Sequence, residues 1–293
     1  MAATKFPEPV SYQSVWRWLR GAGLVEQTRK GRRHRSRRPR KSAFGEMLQM
    51  DTSLHDWFGA GKWALVADID DATSFICSAA LWPTDTTLAN FDVLRQTMTT
   101  YGLPQSIYVD RSPIFKVTRT GYGRVLKHIM KGPFTTQVQR ALEELGIELI
   151  FAYSPQAKGR VERGFRTWQS RLIPELRKEG ICDPLKANQY IRDIYIPRTN
   201  ARFAADPSKF PSAFVKAALP QLDFILAEKH TLRISSDHVL SSKVAGIQLK
   251  VLPSKHRLSY AKAKVDVFKH VDGRISVRYG DELLNHEPLA RCG

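Results

Sequence analysis

Three apolar segments separated by short polar turns predict three consecutive β-strands. The segments are Glu46–Ser53, a strand that we expect to end at Asp51, then Trp63–Asp68, and finally Phe75–Trp82 after a turn at Asp70 and Asp71. Strands joined by such short turns favour an antiparallel meander. The beginning of the ordered part of the chain is therefore predicted to be a three-stranded sheet.

Helical and strand patterns alternate after the meander. A helix that we expect Asp85 to cap carries five apolar residues on one face: Leu88, Phe91, Leu94, Met98 and Tyr101. A short strand, Ser106–Val109, runs into Asp110, and a helix beginning at Thr135 or Thr136 precedes a fifth strand, Ile147–Ala152. This element order is that of an RNase H-like α/β fold, a five-stranded mixed sheet with helices, which the pattern alone leaves as one α/β option among several and which the positions of the acids favour.

The stretch Phe151–Trp168 leads into a basic helix at Gly159 and contains one acid, Glu162. The basic residues around this acid are Lys158, Arg160, Arg163 and Arg166. Nearby positive charge favours an ionised carboxylate, and arginines at this density suit a polyphosphate partner. The apolar stripe of the helix consists of Val161, Phe165, Trp168 and Leu172. Glu162 lies about 100° from that stripe, so its carboxylate can lean over the edge of the sheet.

Asp51, Asp110 and Glu162 are predicted to meet at one edge of the sheet. If the first and fourth strands are adjacent and parallel, both aspartates lie where open α/β sheets place their sites. Each acid also has a simpler interpretation, because Glu162 can pair with Arg166 and the aspartates can cap turns. Converging carboxylates repel unless cations lie between them, and oxygen ligands favour Mg²⁺ or Mn²⁺. Two such ions support in-line phosphoryl displacement.

Charge indicates the kind of partner. The 293 residues carry a net charge of +18, with a pI near 10.0, which favours nucleic acid over a membrane surface. Residues 1–42 hold 12 basic and 2 acidic side chains, so more than half of the excess lies there. No apolar run reaches membrane-spanning length, the N-terminus lacks the core of a secretory signal, and the three cysteines form no CxxC pair. We expect an intracellular protein.

A short helix is predicted near the N-terminus, from Tyr12 to Arg20 with Ser11 as its N-cap. Its apolar side is expected to be buried, while Arg17 and Arg20 lie on the opposite side. This pattern resembles the recognition helix of a helix-turn-helix, and an ordinary amphipathic helix explains it equally well. Only ten residues precede Ser11, so the first helix of such a motif is missing and the chain is expected to be truncated or late-starting.

The segment Arg29–Lys41 has nine basic residues in thirteen and no acid. Such a segment cannot bury itself, and we expect a linker that contacts the DNA backbone. A solvated tail is the alternative. Its candidate DNA-binding residues are Arg32, Arg33, Arg35, Arg37 and Arg38.

The C-terminal quarter is β-rich. Lys264–Phe268 and Arg274–Tyr279 flank a turn at Asp272 and Gly273, which predicts a hairpin. We interpret residues 222–293 as a small β-barrel that either adds DNA contacts or is purely structural. The predicted organisation is a partial helix-turn-helix-like helix at 1–28, a basic linker at 29–43, a catalytic core at 44–207, a connector at 208–221 and the barrel at 222–293.

Four motifs resemble the DDE-type transposases and retroviral-type integrases, in particular the bacterial insertion-sequence branch. They are LQMDTSLHDWF around Asp51, VADIDDATSF after it, IYVDRSPIF around Asp110, and GIELIFAYSPQAKGRVERGFRTWQSRL around Glu162. The resemblance covers about Phe44–Pro207. It implies that the three acids bind two metal ions, that Gln156 and Lys158 contact DNA near the site, and that the enzyme nicks element ends and joins the 3′-hydroxyl to target DNA. It also implies a homo-multimer in the cytoplasm, associated with the nucleoid.

The chain departs from this family in several places. An insertion at Lys116–Pro133 separates Asp110 from Glu162, and Pro174 is expected to kink the helix that carries Glu162. A truncated, inactive DNA-binding protein and an RNase H-like nuclease remain the alternative functions. Asp68, Asp70 and Asp71 are expected to shape the turn after the second strand, and His55 and Asp56 are secondary candidates for shaping the site.

Overall fold

The computed structural model describes residues 11–24, 39–59, 61–117, 135–152, 159–243, 246–255 and 257–289, and only the backbone of 159–163 and 219. The chain divides into two compact units, residues 1–38 and 39–293. We describe each unit separately. Among the described residues, no helix is both long and apolar enough to cross a membrane.

The first unit contains one described helix, α1 (Tyr12–Gly21). The predicted cap is confirmed, because the side chain of Ser11 accepts a hydrogen bond from the backbone N–H of Ser14 at 3.2 Å. The predicted burial of the apolar face is wrong, because none of the described residues of α1 is buried and Tyr12 is 82% exposed. The guanidinium of Arg20 lies 5.4 Å from the ring of Trp16.

A five-stranded mixed sheet forms the centre of the second unit. Its strands are β1 (Leu48–His55), β2 (Trp63–Asp70), β3 (Ile76–Trp82), β4 (Ser106–Val109) and β5 (Glu148–Phe151), in the order β3-β2-β1-β4-β5. The first three strands are antiparallel, which confirms the meander. β4 lies parallel to both β1 and β5, which confirms the predicted adjacency of the first and fourth strands.

One predicted boundary in this sheet is wrong. β1 does not end at Asp51 but continues to His55, because it stays paired with β2 along its whole length, with Asp51 opposite Ala67. β1 pairs with β4 at Leu48 and Gln49. Asp51 therefore lies within a strand, just beyond the point where β1 and β4 are paired.

Helices cover both faces of the sheet. On one face lie α2 (Thr87–Thr100) and α3 (Gln137–Glu144), which bury Phe91, Leu94 and Val138 in one apolar cluster with residues of β1 and β4. The residue that caps α2 is Thr86, whose side chain accepts from the N–H of Ala89, so the predicted cap at Asp85 is wrong. Asp85 precedes the cap and is available for another role.

On the other face lie α4 (Gly159–Lys178), α5 (Pro184–Tyr190) and α6 (Ile196–Phe203), with a π-helical turn, Ile191–Tyr195, between the last two. Helical structure continues through Pro174 in α4. After the π-helical turn, helical structure continues to Phe203, because Pro197 lies at the start of α6, where its missing N–H costs little. Phe165, Trp168 and Leu172 are buried in α4, as the apolar stripe predicts.

The segment predicted as a connector packs directly against the core. Leu103 and Val215 exchange backbone hydrogen bonds of 2.7 and 2.9 Å, and the ring of Phe214 lies 5.0 Å from that of Phe44. Gly45 has a φ of +84°, and a Cβ there would lie 2.4 Å from the Phe214 ring. Glycine is therefore required at this position both by the backbone and by the close approach of the connector.

The C-terminal region begins with a helix, α7 (Leu219–Ile225), so its first strand starts at Glu228 and not at Leu222. One four-stranded sheet contains β6 (Glu228–Arg233), β9 (Lys264–Lys269), β10 (Ile275–Tyr279) and β11 (Glu282–Leu284). A three-stranded sheet contains β7 (Val239–Ser242), β8 (Ile247–Val251) and β12 (His286–Pro288). The two sheets share one apolar cluster, and β9 and β10 form the predicted hairpin.

Hydrogen bonds and an ion pair join this region to the core. Arg140 of α3 donates to the carbonyls of Ile225 and Ala227 at 3.1 and 2.7 Å, and Gln137 exchanges two hydrogen bonds with the backbone of Lys229. Arg95 of α2 pairs with Asp223 at 3.3 Å. These bonds, together with buried Leu222 and Leu226, fix the start of the C-terminal region against α2 and α3.

Candidate active site

The parallel pairing of β1 with β4 relates Asp51, within β1, to Asp110, which directly follows β4. The recorded register pairs Leu48 with Ile107 and Gln49 with Tyr108, so the same register, continued by two residues, brings Asp51 level with Asp110. Neighbouring strands are about 4.8 Å apart. Asp51 and Asp110 are both half-buried, so their carboxylates lie at the surface of the sheet edge and remain accessible to ligands.

The loop after β4 holds Asp110 in place. Its Oδ1 accepts a hydrogen bond from the backbone N–H of Ser112 at 2.9 Å. This bond is local, two residues along the chain, and fixes the carboxylate close to the end of β4. The simpler interpretation of Asp110 was a role in a turn, and this hydrogen bond is of that kind. The same residue also follows the strand that pairs with β1, which carries Asp51.

A third carboxylate, Asp85, belongs to this edge and was not identified as a site residue from the sequence. Desolvation raises the pKa of Asp85, hydrogen bonds from Asn90 and Thr52 lower it, and the charges of Asp110 and Asp51 raise it further. Charge effects of this kind reach over several ångströms, so they relate Asp85 to Asp110 and Asp51 without placing it in contact with either of them. We refer to Asp51, Asp85 and Asp110 as the acid edge. The available sequence signal was an acid in the short connection between β3 and α2, for which capping of α2 is the simpler interpretation.

Glu162 lies in the first turns of α4, and its side chain is outside the described residues. The helix that carries it is anchored on the sheet. Gln169 donates to the hydroxyl of Ser53 in β1 at 3.0 Å, and a Cβ at Gly164 would lie 3.2 Å from Ile69 of β2. Trp168 contacts Tyr195 edge-to-face, with ring centroids 5.1 Å apart. These contacts place α4 directly over β1 and β2.

The chemistry of the acid edge suits a hard divalent cation. Carboxylate oxygens are the ligands preferred by Mg²⁺ and Mn²⁺. Within the part of the chain that the structure describes, no group of three or more potential ligands is arranged to hold a metal ion. A complete set of metal ligands would therefore include a side chain outside the described residues, such as that of Glu162.

Only three of the predicted DNA-binding residues have side chains in the part of the chain that the structure describes. Arg17 and Arg20 are exposed on α1, and Arg166 is exposed on α4. The remaining candidates lie outside the described residues: Arg32, Arg33, Arg35, Arg37, Arg38, Gln156, Lys158, and the side chains of Arg160 and Arg163. Most of the insertion, residues 118–134, also lies outside them.

The end of the basic segment is part of the second unit. The guanidinium of Arg40 donates to the carbonyl of Ala72 at 2.9 Å, and the N–H of Lys41 donates to Asp71 at 2.9 Å. The Nζ of Lys41 pairs with Glu46 at 3.0 Å. These two residues therefore bind to the core.

The aspartates at the end of β2 and directly after it, here called the inner acids (Asp68, Asp70 and Asp71), do not belong to the acid edge. Asp70 accepts from the N–H groups of Gly45 and Thr73 and from the Thr73 hydroxyl, as a turn role requires. Asp71 accepts from Gln49 Nε2 at 2.5 Å. The turn prediction is wrong for Asp68, which lies inside β2, buried against Thr97 of α2.

The secondary candidates have local roles. Asp56 accepts a hydrogen bond of 2.6 Å from the N–H of Gly59 and so shapes the loop after β1. The ring of His55 contacts Trp57 edge-to-face at 5.5 Å. Both residues follow Asp51 in sequence, and these contacts give each of them a structural function.

Comparison with known proteins relates the chain to transposases over most of its length. It is 30% identical over 292 residues, 97% of this chain, to "Putative transposase y4bF" of Sinorhizobium fredii (strain NBRC 101917 / NGR234). It is 33% identical over 257 residues, 85% of this chain, to the transposase for insertion sequence IS1202 of Streptococcus pneumoniae. By sequence, this chain is similar to transposases. It spans 62% and 53% of the lengths of these two proteins, and no family model matches it.

Solved integrase structures show a more general likeness. One similar chain belongs to the simian T-cell lymphotropic virus intasome in complex with PP2A regulatory subunit B56 gamma. It is 14% identical to this chain, with a TM-score of 0.44, and the match covers 88% of this chain and 84% of that chain. The trimeric HTLV-2 integrase catalytic core domain in complex with magnesium is 14% identical, with a TM-score of 0.40, over 58% of this chain and 94% of that domain. Scores below 0.5 are too low to support an argument about this protein.

Proposed function

We propose that this protein is a DNA transposase with an RNase H-like core that cleaves DNA at the ends of an insertion element and joins the freed ends to target DNA. The observation that carries the proposal is the parallel pairing of β1 with β4, whose register, extended by two residues, relates Asp51 to Asp110 in a chain similar to transposases. A plain nuclease would need the same two acids. The named relatives and the net charge of +18 favour the transposase.

Asp51, Asp110 and Glu162 would hold two Mg²⁺ or Mn²⁺ ions. Seven residues, about two helical turns, separate position 162 from Gln169, so the two positions share one face of α4. Gln169 contacts Ser53, two residues beyond Asp51 on β1. This spacing supports a ligand at position 162 on the same side of the sheet as Asp51, because residues two apart in a strand point to the same face.

Divalent cations bound there would supply Lewis-acid stabilisation of the oxygens around a scissile phosphate. The protein's own contribution is positioning. The Ser112 N–H fixes the Asp110 carboxylate, and the rigid pairing of β1 with β2 fixes Asp51. Arg166, exposed one turn beyond Glu162, suits a contact with the DNA backbone. We expect the protein to act as a homo-multimer on duplex element ends and target DNA.

Nicking of labelled duplexes that carry the sequences flanking the gene tests this function. The wild-type protein should cleave in the presence of Mg²⁺, and Asp110→Asn should reduce cleavage to background because a metal ligand is lost. Asp56→Asn is the matched control, since its amide oxygen can still accept from Gly59, and it should cleave normally. Normal cleavage by Asp110→Asn would disprove the role of the acid edge. DNA binding without cleavage by the wild-type protein would instead support an inactive, transposase-derived DNA-binding protein.

The basic segment allows a second prediction about DNA. Residues 29–38 hold seven basic side chains, outside the part fixed by Arg40 and Lys41. Replacing these seven with glutamine should weaken DNA binding and lower the slope of log K against log salt by up to about 0.9 per lost phosphate contact. Binding titrations at several salt concentrations measure this slope. An unchanged slope, with an unchanged melting temperature, would show that the segment is a solvated tail.

A further inference from the structure

Two asparagines hold the outer edge of β3, the end strand of the five-stranded sheet. Asn188 of α5 accepts from the N–H of Leu81 at 2.6 Å and donates to the carbonyl of the same residue at 3.0 Å. Asn200 of α6 accepts from the N–H of Ile76 and donates to its carbonyl, both at 2.9 Å. Each side-chain amide therefore forms the pair of hydrogen bonds that a neighbouring strand would form. We refer to Asn188 and Asn200 as the edge clamps.

The two clamped positions of β3 would not face the same edge of a regular strand. Ile76 and Leu81 are five residues apart, whereas the backbone groups that face one edge of a strand recur every two residues. The register of β3 against β2 shifts between Asp68 and Ile69, so that β3 contains one extra residue, Cys77. This irregularity brings the N–H and carbonyl groups of both clamped residues to the outer edge.

The helical side contains a matching irregularity. Twelve residues separate Asn188 from Asn200, which in a regular α-helix leaves them about 120° apart around the axis. The π-helical turn between them changes this angle, since the N–H of Ile196 donates to the carbonyl of Ile191, five residues earlier. A turn of this kind holds one extra residue, so the two asparagines lie about 20° apart, on the same face of the helix.

Burial and length agree with this register. Tyr190 and Tyr195 are buried, each together with the residue that follows it, whereas residues 192–194 between them are exposed. The spacing of the buried pairs is therefore that of the π-helical turn. Along the helix axis the edge clamps are about 16 Å apart, and five residues of a strand span about the same distance. The helical segment thus runs antiparallel to β3 and bonds it near both ends.

We propose that the π-helical turn is a register device, which lets one helical segment place both edge clamps on β3 and so closes this edge of the sheet to strand addition by another copy of the chain. An end strand with free N–H and carbonyl groups is a template for pairing with further strands. The edge clamps satisfy such groups near both ends of β3. An assembly of several copies is therefore built from other surfaces. The inference does not depend on the proposed activity.

A simpler role for the edge clamps is to anchor α5 and α6 to the sheet. In that case, losing them destabilises the protein as any lost buried contact does, and it produces no association beyond that of an equally destabilised variant. If the edge clamps close the edge, their loss exposes a pairing surface, and copies of the chain associate through it.

A deletion and an insertion at the π-helical turn test the register. Deleting Asp193 together with Pro197→Ala removes the extra residue and the proline that a regular α-helix excludes. The asparagines then lie about 20° apart in a regular helix, so both edge clamps should remain. Inserting one alanine after Asp193 in the same Pro197→Ala background leaves them about 120° apart, so one edge clamp should be lost.

Hydrogen exchange of the Ile76 and Leu81 amides measures these outcomes. Both amides should exchange at the wild-type rate in the deletion variant, and one of them should exchange roughly tenfold faster or more in the insertion variant. Amides of β4 are the internal reference, because they report any general loss of stability. Equal protection in the two variants, or faster exchange in the deletion variant alone, would overturn the register assignment.

Single substitutions assign each hydrogen bond to its clamp. Asn188→Ala should release the Leu81 amide and leave that of Ile76 protected, and Asn200→Ala should do the opposite. Asn188→Asp keeps an acceptor for the Leu81 N–H and should keep this amide protected. Release of both amides by either alanine variant would contradict two independent clamps.

Association of the variant that lacks both edge clamps tests whether the edge is closed. Asn188→Ala combined with Asn200→Ala should increase the mean particle mass about twofold or more over wild type at equal concentration without DNA, as measured by light scattering. Leu142→Ala, which leaves a cavity under α3, is the control for lost stability and should keep the wild-type particle mass. A wild-type mass in the double variant, or an equal increase in the control, would overturn the closing of the edge.

Discussion

The acid edge and the inner acids contain three aspartates each and lie in or next to the same sheet, but their surroundings differ. The inner acids are at most 1% exposed, and each accepts hydrogen bonds from neighbouring groups. The members of the acid edge are half-buried or exposed and come from three different segments. A carboxylate surrounded by donors and closed off from solvent stabilises the fold, whereas carboxylates gathered at an open edge repel one another unless a cation binds.

The two groups of acids also differ in how their members are spaced along the chain. The inner acids are neighbours in the chain, in the stretch Asp68–Asp71, and they bind the β2–β3 turn to residues 41–49. The acid edge unites Asp51, Asp85 and Asp110, which are widely spaced. In this protein, the acids that are close together in the chain form a structural hydrogen-bond network. The acids that come from separate segments belong to the candidate site.

Removing an inner acid should produce the largest effect on stability. Asp70→Ala leaves the N–H groups of Gly45 and Thr73 and the Thr73 hydroxyl without their buried acceptor. We expect a loss of roughly 3 kcal/mol, on the order of 10 °C in melting temperature. Asp110→Asn should melt at the wild-type temperature or slightly above it, because it relieves repulsion. Thermal unfolding of both variants at pH 7 measures the difference.

Asp206→Ala is a suitable control for this prediction. Asp206 also accepts from a backbone N–H, that of Ser208 at 3.0 Å, but it is exposed, so water can replace the lost acceptor and stability should barely change. Equal melting temperatures for Asp70→Ala and Asp206→Ala would contradict the distinction between the two groups of acids.

The pH dependence of stability provides a smaller, more specific effect. Burial raises the pKa of Asp68 from 3.8 to about 7, against the hydrogen bonds from Thr97 and Ser78 that lower it. Because the folded-state pKa lies above the unfolded value, the contribution of this group is fully present below about pH 4 and is lost as the pH rises through 7. Asp68→Asn resembles the protonated acid and should not lose this contribution.

Denaturant unfolding of wild type and Asp68→Asn between pH 4 and 8 measures this effect. The free energy of unfolding of the variant should increase relative to that of wild type as the pH rises, and the difference should level off above pH 7. A difference that is constant with pH would show that Asp68 is ionised in the folded state throughout this range.

Periodicity and local chemistry in the sequence determined much of the core. The apolar segments predicted all five strands of the sheet, and short turns predicted the antiparallel meander. Ser11 and Thr136 were recognisable at helix starts because a side-chain acceptor just before an apolar helical pattern satisfies free N–H groups. These features depend on residues close together in the chain, which is why the sequence reveals them.

Long-range contacts decided the rest. The burial of Asp68 under Thr97 and the packing of the connector on Gly45 depend on segments far apart in sequence. The same is true of the extension of β1 past Asp51, which follows from its pairing with β2. Asp85 is not the cap of α2 that the sequence predicts, and only the folded chain exposes its carboxylate to the charges of Asp110 and Asp51, which raise its pKa beside the larger effect of desolvation. Local patterns specify elements, whereas the electrostatic environment of a carboxylate is set by every charge and dipole that tertiary structure places around it.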